Sequence, residues 1–241
     1  MGNAMALLAK SFIDLVYPRR CANCGRDTDV SNDLCLCEPC AGDIKRNPRP
    51  HCKTCGRPVD RAGSVCSECR KTRFHFTRAY SAYIYDGAMK EVIHLFKYKS
   101  RISLSEHLGM LMIESLREEP DMLKGIDIIT AVPLDNRRLR ERGFNQSKVL
   151  AARIAKEFVI PLSDILEKTV RTRHQNELSR DERLQNLTGA FMVRRGAAVQ
   201  DFRILLIDDV MTTGSTLNEC SKTLIEAGAK EVRCLTLARG I

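Results

Sequence analysis

Residues 204–216 read Ile-Leu-Leu-Ile-Asp-Asp-Val-Met-Thr-Thr-Gly-Ser-Thr, and this stretch contains the clearest structural pattern in the chain. The segment 203–207 is apolar after its first residue, which predicts a strand buried on both faces. Two adjacent carboxylates, Asp208 and Asp209, follow it directly, and a small, hydroxyl-rich segment, 212–216, then opens an amphipathic helix. A strand that leads through small residues into a helix N-terminus presents free backbone N–H groups to an anion.

The acids and the loop together predict a site for a phosphorylated ribose. The carboxylates can accept hydrogen bonds from vicinal hydroxyls or help to hold Mg²⁺. The phosphate group would be bound by the loop residues Thr212, Thr213, Gly214, Ser215 and Thr216. The alternative is an Asp-Asp turn followed by an ordinary helix N-cap, which accounts for one hydroxyl but not for four around a glycine.

The cysteines form an internal repeat near the N-terminus. Nine of the eleven lie between positions 21 and 69, and the sequence Cys-Ala-Asn-Cys-Gly-Arg at 21–26 recurs as Cys-Lys-Thr-Cys-Gly-Arg at 52–57. A second Cys-x-x-Cys pair follows each copy, and the glycine relieves the turn that lets N–H groups point at sulfur. We therefore predict two structural Zn²⁺ ions with the ligands Cys21, Cys24, Cys37, Cys40, Cys52, Cys55, Cys66 and Cys69.

Two other arrangements of these cysteines remain open. Each zinc site could draw on both repeats instead of one, and a disulfide framework could replace the metal. Disulfides need an oxidising compartment, however, and the sequence carries no secretion signal. Cys35 stands outside the matching pairs and is predicted to be a bystander.

The charge and hydropathy of the chain restrict its possible partners and its location in the cell. The formal net charge is +9, but eight thiolates binding two Zn²⁺ would lower it to about +5, so charge supports acidic partners only weakly. No apolar run approaches the roughly eighteen residues that cross a bilayer. Residues 6–17 are interrupted by Lys10 and Asp14 and predict a packed amphipathic helix rather than a signal peptide, so we expect a cytoplasmic protein.

The pattern changes after Arg78 to alternating strands and helices, as in a parallel α/β sheet. Strands are predicted at 79–85, 126–132, 203–207 and 232–237, with helices at 89–96, 104–116 and 144–158. Two shorter strands, 163–166 and 190–193, flank a polar, arginine-rich span that predicts a long loop. The sequence therefore divides into an N-terminal helix with a double zinc ribbon, residues 1–75, and an α/β domain, residues 76–241.

Two arginine-rich segments follow predicted strands of the α/β domain. After the strand 126–132, we predict contacts to pyrophosphate or to DNA phosphates from Arg137, Arg138, Arg140 and Arg142. Arg171 and Arg173 lie in the long loop, which could close over a phosphate site and stabilise charge on pyrophosphate. The alternatives are a solvated charge run and a plain basic loop. Segment 93–99 interleaves aromatics with lysines, and its helical spacing predicts core packing rather than a nucleic-acid face.

Taken in order, these motifs closely resemble those of the ComF family, the competence proteins of natural transformation. The matching pieces are the paired Cys-x-x-Cys ribbons, Ile93 to Tyr98, Val132-Pro133-Leu134, Arg142-Gly143-Phe144-Asn145-Gln146, the segment 171–191 and the phosphate loop. The stretch 204–216 also resembles the motif of type I phosphoribosyltransferases that binds phosphoribosyl pyrophosphate (PRPP), whose acids bind the ribose 2′- and 3′-hydroxyls. The resemblance implies a type I phosphoribosyltransferase-like parallel sheet flanked by helices, with a small N-terminal double zinc ribbon.

The resemblance also implies a role in handling incoming single-stranded DNA, with PRPP or ribose 5-phosphate as a ligand and other DNA-uptake proteins as partners. The alternative is an active phosphoribosyltransferase that displaces pyrophosphate from PRPP, with Mg²⁺ and with Arg171 and Arg173 as catalytic residues. A third hypothesis is a regulator that senses PRPP without chemistry. Because the chain stops four residues after the last predicted strand, we expect any acceptor pocket to come from residues 70–125 or from the zinc ribbons.

Overall fold

The computed structural model describes residues 20–27, 35–98, 101–169 and 189–240. The helix predicted at 6–17 and the loop that carries Arg171 and Arg173 lie outside the described residues. The strands are β1, Arg78–Ile84; β2, Ile128–Ala131; β3, Leu166–Lys168; β4, Phe191–Val193; β5, Arg203–Met211; and β6, Glu231–Arg239. The helices are α1, Glu38–Gly42; α2, Ser67–Lys71; α3, Gly87–Tyr98; α4, Leu104–Arg117; α5, Asn136–Arg142; α6, Gln146–Phe158; and α7, Ser215–Glu226. None of the helices that the structure describes is long and apolar enough to cross a membrane.

Four of these strands form one parallel sheet in the spatial order β1–β6–β5–β2, so the predicted α/β architecture is confirmed. β5 lies between β6 and β2 and pairs with β6 from Arg203 to Met211. The short strands β3 and β4 form a separate antiparallel pair. Because parallel strands all end at one edge, the loops that follow β2 and β5 meet at the carboxyl edge of the sheet.

Helices cover both faces of the sheet, and the alternate residues of β5 show this division. Leu205 and Ile207 pack in one buried cluster with α3, α4 and α6, while Ile204 and Leu206 pack in a second cluster with α7. All four side chains are fully buried. The apolar run that begins the phosphate motif is therefore a strand buried on both faces, as its sequence predicts.

Most predicted boundaries differ from the structure by one or two residues, and three larger differences affect the carboxyl edge of the sheet. β5 continues past Ile207 to Met211, because β6 runs beside it and supplies backbone partners along the segment of the two acids. The strand predicted at 163–166 begins instead at Leu166, where pairing with β4 starts. The arginine-rich connection after β2 forms the helix α5. Asp135 caps that helix by accepting from the Arg138 N–H at 2.9 Å, and Gly143 ends it with a φ of 77°.

The cysteines form two separate clusters, one from each repeat. Within each cluster the thiols lie within 4.8 Å of one another, and the members are Cys21, Cys24, Cys37 and Cys40, and Cys52, Cys55, Cys66 and Cys69. The two copies also share their local geometry. The amide of the first cysteine donates to the carbonyl five positions later, at 2.8 Å in the first copy and 2.7 Å in the second. The sequential arrangement is therefore the one found, and Cys35 lies outside both clusters.

Both ribbons pack against the α/β sheet. Cysteines of the first cluster are buried together with α3, α4 and α6, and cysteines of the second are buried together with α7. The buried guanidinium of Arg239, at the end of β6, donates to the carbonyl of Cys55 at 2.5 Å. A Cβ on Gly56 would lie only 2.6 Å from the carbonyl oxygen of Ala79 in β1, so glycine is needed for this close approach.

Candidate functional site

A cavity of about 260 Å³ opens at the carboxyl edge of the sheet. Its walls come from the end of β5 and the start of α7, from the segment between β2 and α6, and from the ends of α3 and β3. Ligands of open α/β sheets bind at this edge. Several of the site residues predicted from the sequence line this cavity. They are Arg138, Arg142, Asp208, Asp209, Thr212, Thr213, Gly214, Ser215 and Thr216.

Asp208 accepts two hydrogen bonds on its Oδ1 atom. The donors are the Ser147 hydroxyl at 2.7 Å and the backbone N–H of Asp209 at 2.9 Å. Burial raises the pKa of Asp208 to about 7, and the negative charge of Asp209 adds to the increase. Near neutral pH, this carboxyl group therefore exchanges between a protonated form that donates and an ionised form that accepts hydrogen bonds.

Asp209 is buried and forms an ion pair with Lys97, a residue that the sequence prediction missed as part of the site. The Lys97 Nζ atom contacts the Asp209 Oδ2 atom, and only 18% of the Lys97 side chain is exposed. Burial alone would lower the pKa of Lys97, but the charge and the hydrogen bond of Asp209 raise it above the ordinary value. Lys97 therefore stays protonated beside the two acids.

The loop after β5 has the geometry of an anion site at a helix N-terminus. Gly214 is the N-cap of α7 and has a φ of 80°, a conformation that residues with a Cβ rarely adopt. The hydroxyls of Thr213 and Ser215 hydrogen-bond to each other at 2.8 Å across this turn. The first N–H groups of a helix have no intrahelical acceptor, so the beginning of α7 is suited to bind a phosphate group.

The four predicted arginines of α5 do not share one environment. Arg142 is buried in the cavity wall, where its guanidinium lies 4.8 Å from the centre of the Tyr98 ring and donates to the Tyr98 hydroxyl at 3.1 Å. Arg138 also lines the cavity. Arg137 and Arg140 are exposed and lie outside the lining. The helix explains this division, because positions three or four apart share a face, so Arg138 and Arg142 lie on one face and Arg137 and Arg140 on another.

Two further polar residues of the cavity were missed by sequence reasoning. The side chain of Lys168 in β3 is 5% exposed and lies 3.9 Å from the Asp135 carboxylate. Burial lowers the pKa of Lys168, and the charge of Arg138 adds to the decrease. Gln146 is 1% exposed, and its Nε2 atom has no hydrogen-bond partner within the described part of the chain. Gln146 is the last residue of the motif Arg142-Gly143-Phe144-Asn145-Gln146, so the sequence could have assigned it to the site. Lys168 is a single lysine in a short strand, and no sequence motif marks it as a site residue.

Metal-ligand atoms are concentrated in the ribbons. Within the ranges that the structure describes, three or more such side chains come together only in the two cysteine clusters. Four thiolates at this separation suit a tetrahedral Zn²⁺ ion. Asp208 and Asp209 supply only two carboxylates, one of them paired with Lys97. This pair fits a Mg²⁺ ion that is coordinated mostly by the phosphate oxygens of a ligand, and it does not form a magnesium site by itself.

Two protein families match the sequence, one for each part of the chain. Residues 12–70 match the double zinc ribbon domain, and residues 145–241 match the phosphoribosyl transferase domain. The first match contains both cysteine clusters, and the second contains the two acids and the phosphate loop. The fold class predicted from the sequence is therefore confirmed.

Whole-length relatives also exist. The chain is 31% identical over 226 residues to competence protein F of Haemophilus influenzae, which covers 91% of this chain and 96% of that protein. It is 30% identical over 207 residues to the DNA utilization protein YhgH of Salmonella typhimurium, covering 85% of this chain and 90% of that protein. Among solved structures, a hypoxanthine phosphoribosyltransferase of Staphylococcus aureus is similar over 56% of this chain and 64% of its own, with 17% identity and a TM-score of 0.38.

Proposed function

The chain belongs to the ComF family of competence proteins, and we propose that it handles incoming single-stranded DNA in natural transformation and binds PRPP. We place this activity in the cytoplasm, together with other DNA-uptake proteins. The names of the two relatives, a competence protein and a DNA utilization protein, support the DNA role. The ligand role has its support in the cavity of the chain itself.

The observation that carries the ligand proposal is that two acids and a helix N-terminus line one cavity. Asp208 and Asp209 can accept hydrogen bonds from the 2′- and 3′-hydroxyls of a ribose. The loop 212–216 and the first turn of α7 can bind the 5′-phosphate through backbone N–H groups and hydroxyls. A sugar with a vicinal diol and a phosphate can bind the two acids through its hydroxyls and the loop through its phosphate.

The cavity also holds more positive charge than one phosphate requires. Arg138, Arg142 and Lys168 line it on the side of β2 and β3. Guanidinium and ammonium groups in a partly buried site bind a second anionic group well. This charge favours PRPP over ribose 5-phosphate as the ligand. A Mg²⁺ ion bound to the pyrophosphate would offset part of its charge, with Asp208 as the carboxylate outside the ion pair.

Transfer of the phosphoribosyl group is our second candidate function. In that reaction an acceptor forms a bond to C1 of the ribose while the bond from C1 to pyrophosphate breaks, and pyrophosphate leaves with the bonding electrons. The observation that favours it is the group of cations that can stabilise this leaving group, Arg138, Arg142 and Lys168. Arg171 and Arg173 remain proposed as catalytic residues on a closing loop.

A calorimetric titration with PRPP and Mg²⁺ tests the ligand proposal. The double variant Asp208→Asn with Asp209→Asn should lose binding, because it keeps the shapes of the side chains but removes both charges. Asp164→Asn is the matched control, since that acid pairs with Lys148 outside the cavity. Unchanged binding in the double variant would contradict the proposal. Release of pyrophosphate, measured with and without single-stranded DNA, tests the transferase candidate.

A further inference from the structure

Lys97 is a mostly buried cation of the ligand cavity that the proposed function leaves without a role. It lies in the last turn of α3, next to the fully buried Phe96, so packing of the helix determines where the lysine side chain begins. The side chains of Lys97 and its partner Asp209 are 18% and 10% exposed. A buried ion pair adds little stability, because the removal of two charges from water offsets most of their attraction. Because the ion pair between Lys97 and Asp209 lies in the cavity wall, we infer that it contributes to ligand binding rather than to stability.

The ion pair changes what the two acids can bind. An ammonium group has three N–H donors, so Lys97 can contact Asp209 and still donate to a ribose hydroxyl. A divalent cation that approached Asp209 would be repelled at close range by the charge of Lys97. Asp208 differs, because its hydrogen-bond donors are the neutral Ser147 hydroxyl and a backbone N–H. Asp209 is therefore the acid that is neutralised by the chain itself.

We propose that Lys97 takes the place on Asp209 that a magnesium ion would otherwise occupy. A phosphorylated ribose without pyrophosphate, such as ribose 5-phosphate, is then bound by the chain alone. Mg²⁺ is needed only for the pyrophosphate of PRPP. This inference rests on the proposed function, because it concerns the same ribose site, and it makes Lys97 a binding residue for the ribose diol.

The first test compares magnesium-free and magnesium-containing buffers with the wild-type chain. Ribose 5-phosphate is titrated calorimetrically in each. The magnesium-free buffer is prepared over a chelating resin, because EDTA in solution would remove zinc from the cysteine clusters. We expect the same affinity for ribose 5-phosphate in both buffers, and a higher affinity for PRPP when Mg²⁺ is present.

The second test changes the lysine. In magnesium-free buffer, Lys97→Met should bind ribose 5-phosphate about tenfold more weakly or worse, the effect of one hydrogen bond from a charged group. Added Mg²⁺ should restore part of this loss, and Lys97→Arg should bind without metal because it keeps the charge. Lys148→Met is the matched control, since Lys148 pairs with Asp164 outside the cavity. With ribose 5-phosphate bound, electron paramagnetic resonance should detect bound Mn²⁺ in Lys97→Met and not in the wild type.

The outcomes separate this inference from the proposed function. A wild-type chain that needs Mg²⁺ to bind ribose 5-phosphate would overturn the role of Lys97 and leave the PRPP site standing. Equal affinity of Lys97→Met and wild type for ribose 5-phosphate in magnesium-free buffer would also overturn the role of Lys97 and leave the PRPP site standing. Failure to bind either ribose 5-phosphate or PRPP in both buffers would overturn the proposed ligand site together with the inference. If Lys97→Met does not fold, the wild-type comparison and Lys97→Arg still decide the question.

Discussion

Asp208 and Asp209 are neighbours in the sequence, but their surroundings differ. Successive side chains of a strand point to opposite faces, so the two acids meet different partners. Asp208 accepts hydrogen bonds from neutral donors, and its pKa is raised to about 7 by burial and by the charge of Asp209. Asp209 meets the ammonium group of Lys97. The pair therefore consists of one group that titrates near neutrality and one that is matched with a cation.

The raised pKa of Asp208 predicts a pH-dependent stability. Its pKa is about 7 in the folded chain and 3.8 for an ordinary aspartate, so between these values the folded chain binds a proton that the unfolded chain releases. The contribution to stability is complete below pH ~4 and is lost as the pH rises to ~7. Denaturant unfolding should show wild type losing on the order of a few kcal/mol across this interval relative to Asp208→Asn. Parallel profiles for the two proteins would contradict this prediction, and Asp164→Asn should follow the wild type.

Substitution of Gly214 should weaken phosphate binding, an effect that can be measured separately from a loss of stability. Its φ of 80° strains any other residue, and a Cβ there would lie 2.7 Å from the Met211 side chain. Gly214→Ala should therefore displace the phosphate loop and weaken ligand binding, as measured by calorimetry. Gly196→Ala is the matched control, because Gly196 has a φ of 82° but open space around it. The control should lose about 1 kcal/mol of stability without a change in affinity. Equal ligand affinities in the two variants would contradict the assignment of phosphate binding to the loop 212–216.

At the scale of the element, the helix α5 decides which arginines reach the ligand. Arg138 and Arg142 are four positions apart and both line the cavity. Arg137 and Arg140 point elsewhere and are exposed, and Arg137 pairs with Glu141 on the surface at 2.7 Å. The helix therefore separates a cavity pair of arginines from a surface pair.

This separation predicts different effects on ligand and on DNA. Arg138→Gln with Arg142→Gln should weaken PRPP binding, while Arg137→Gln with Arg140→Gln should weaken single-stranded DNA binding without regard to base sequence. Loss of two phosphate contacts should reduce the slope of log affinity against log salt by about 1.4 for a single strand. Fluorescence anisotropy at several salt concentrations measures this slope. DNA affinity that is unchanged in both double variants would place the strand elsewhere, such as on the zinc ribbons.

At the scale of the whole molecule, the second ribbon is connected to the elements that carry the ligand loop. Arg239 donates to the carbonyl of Cys55 in the second cysteine cluster. The next residue, Gly240, donates from its N–H to the Met211 carbonyl at 3.0 Å, just before the phosphate loop. After the ribbon, the His75 N–H donates to the Asn218 side chain of α7 at 2.7 Å. The ribbon, the sheet and the loop therefore form a continuous packed unit.

Loss of the second cysteine cluster tests this connection. If each unit had its own source of stability, Cys52→Ser with Cys55→Ser would unfold the zinc ribbons and leave the α/β domain soluble. The shared buried cluster predicts instead a single unfolding transition for the whole chain, lowered by at least about 5 °C. Metal analysis should show two zinc ions in the wild type and one in the variant. Calorimetry that resolves a second transition at the wild-type temperature would contradict the prediction.

The amino-acid sequence by itself determines the features that depend on neighbours along the chain. The cysteine repeat, the strand buried on both faces and the loop 212–216 each occupy consecutive or regularly spaced residues, and the structure contains all three. Only the tertiary structure brings Lys97 to Asp209, divides the arginines of α5 between cavity and surface, and joins the second ribbon to β6. The first and the last of these features join residues that lie far apart in the sequence, and the division of the arginines depends on which face of α5 meets the cavity. Their approach depends on how whole elements pack, and no local pattern of residues encodes that packing.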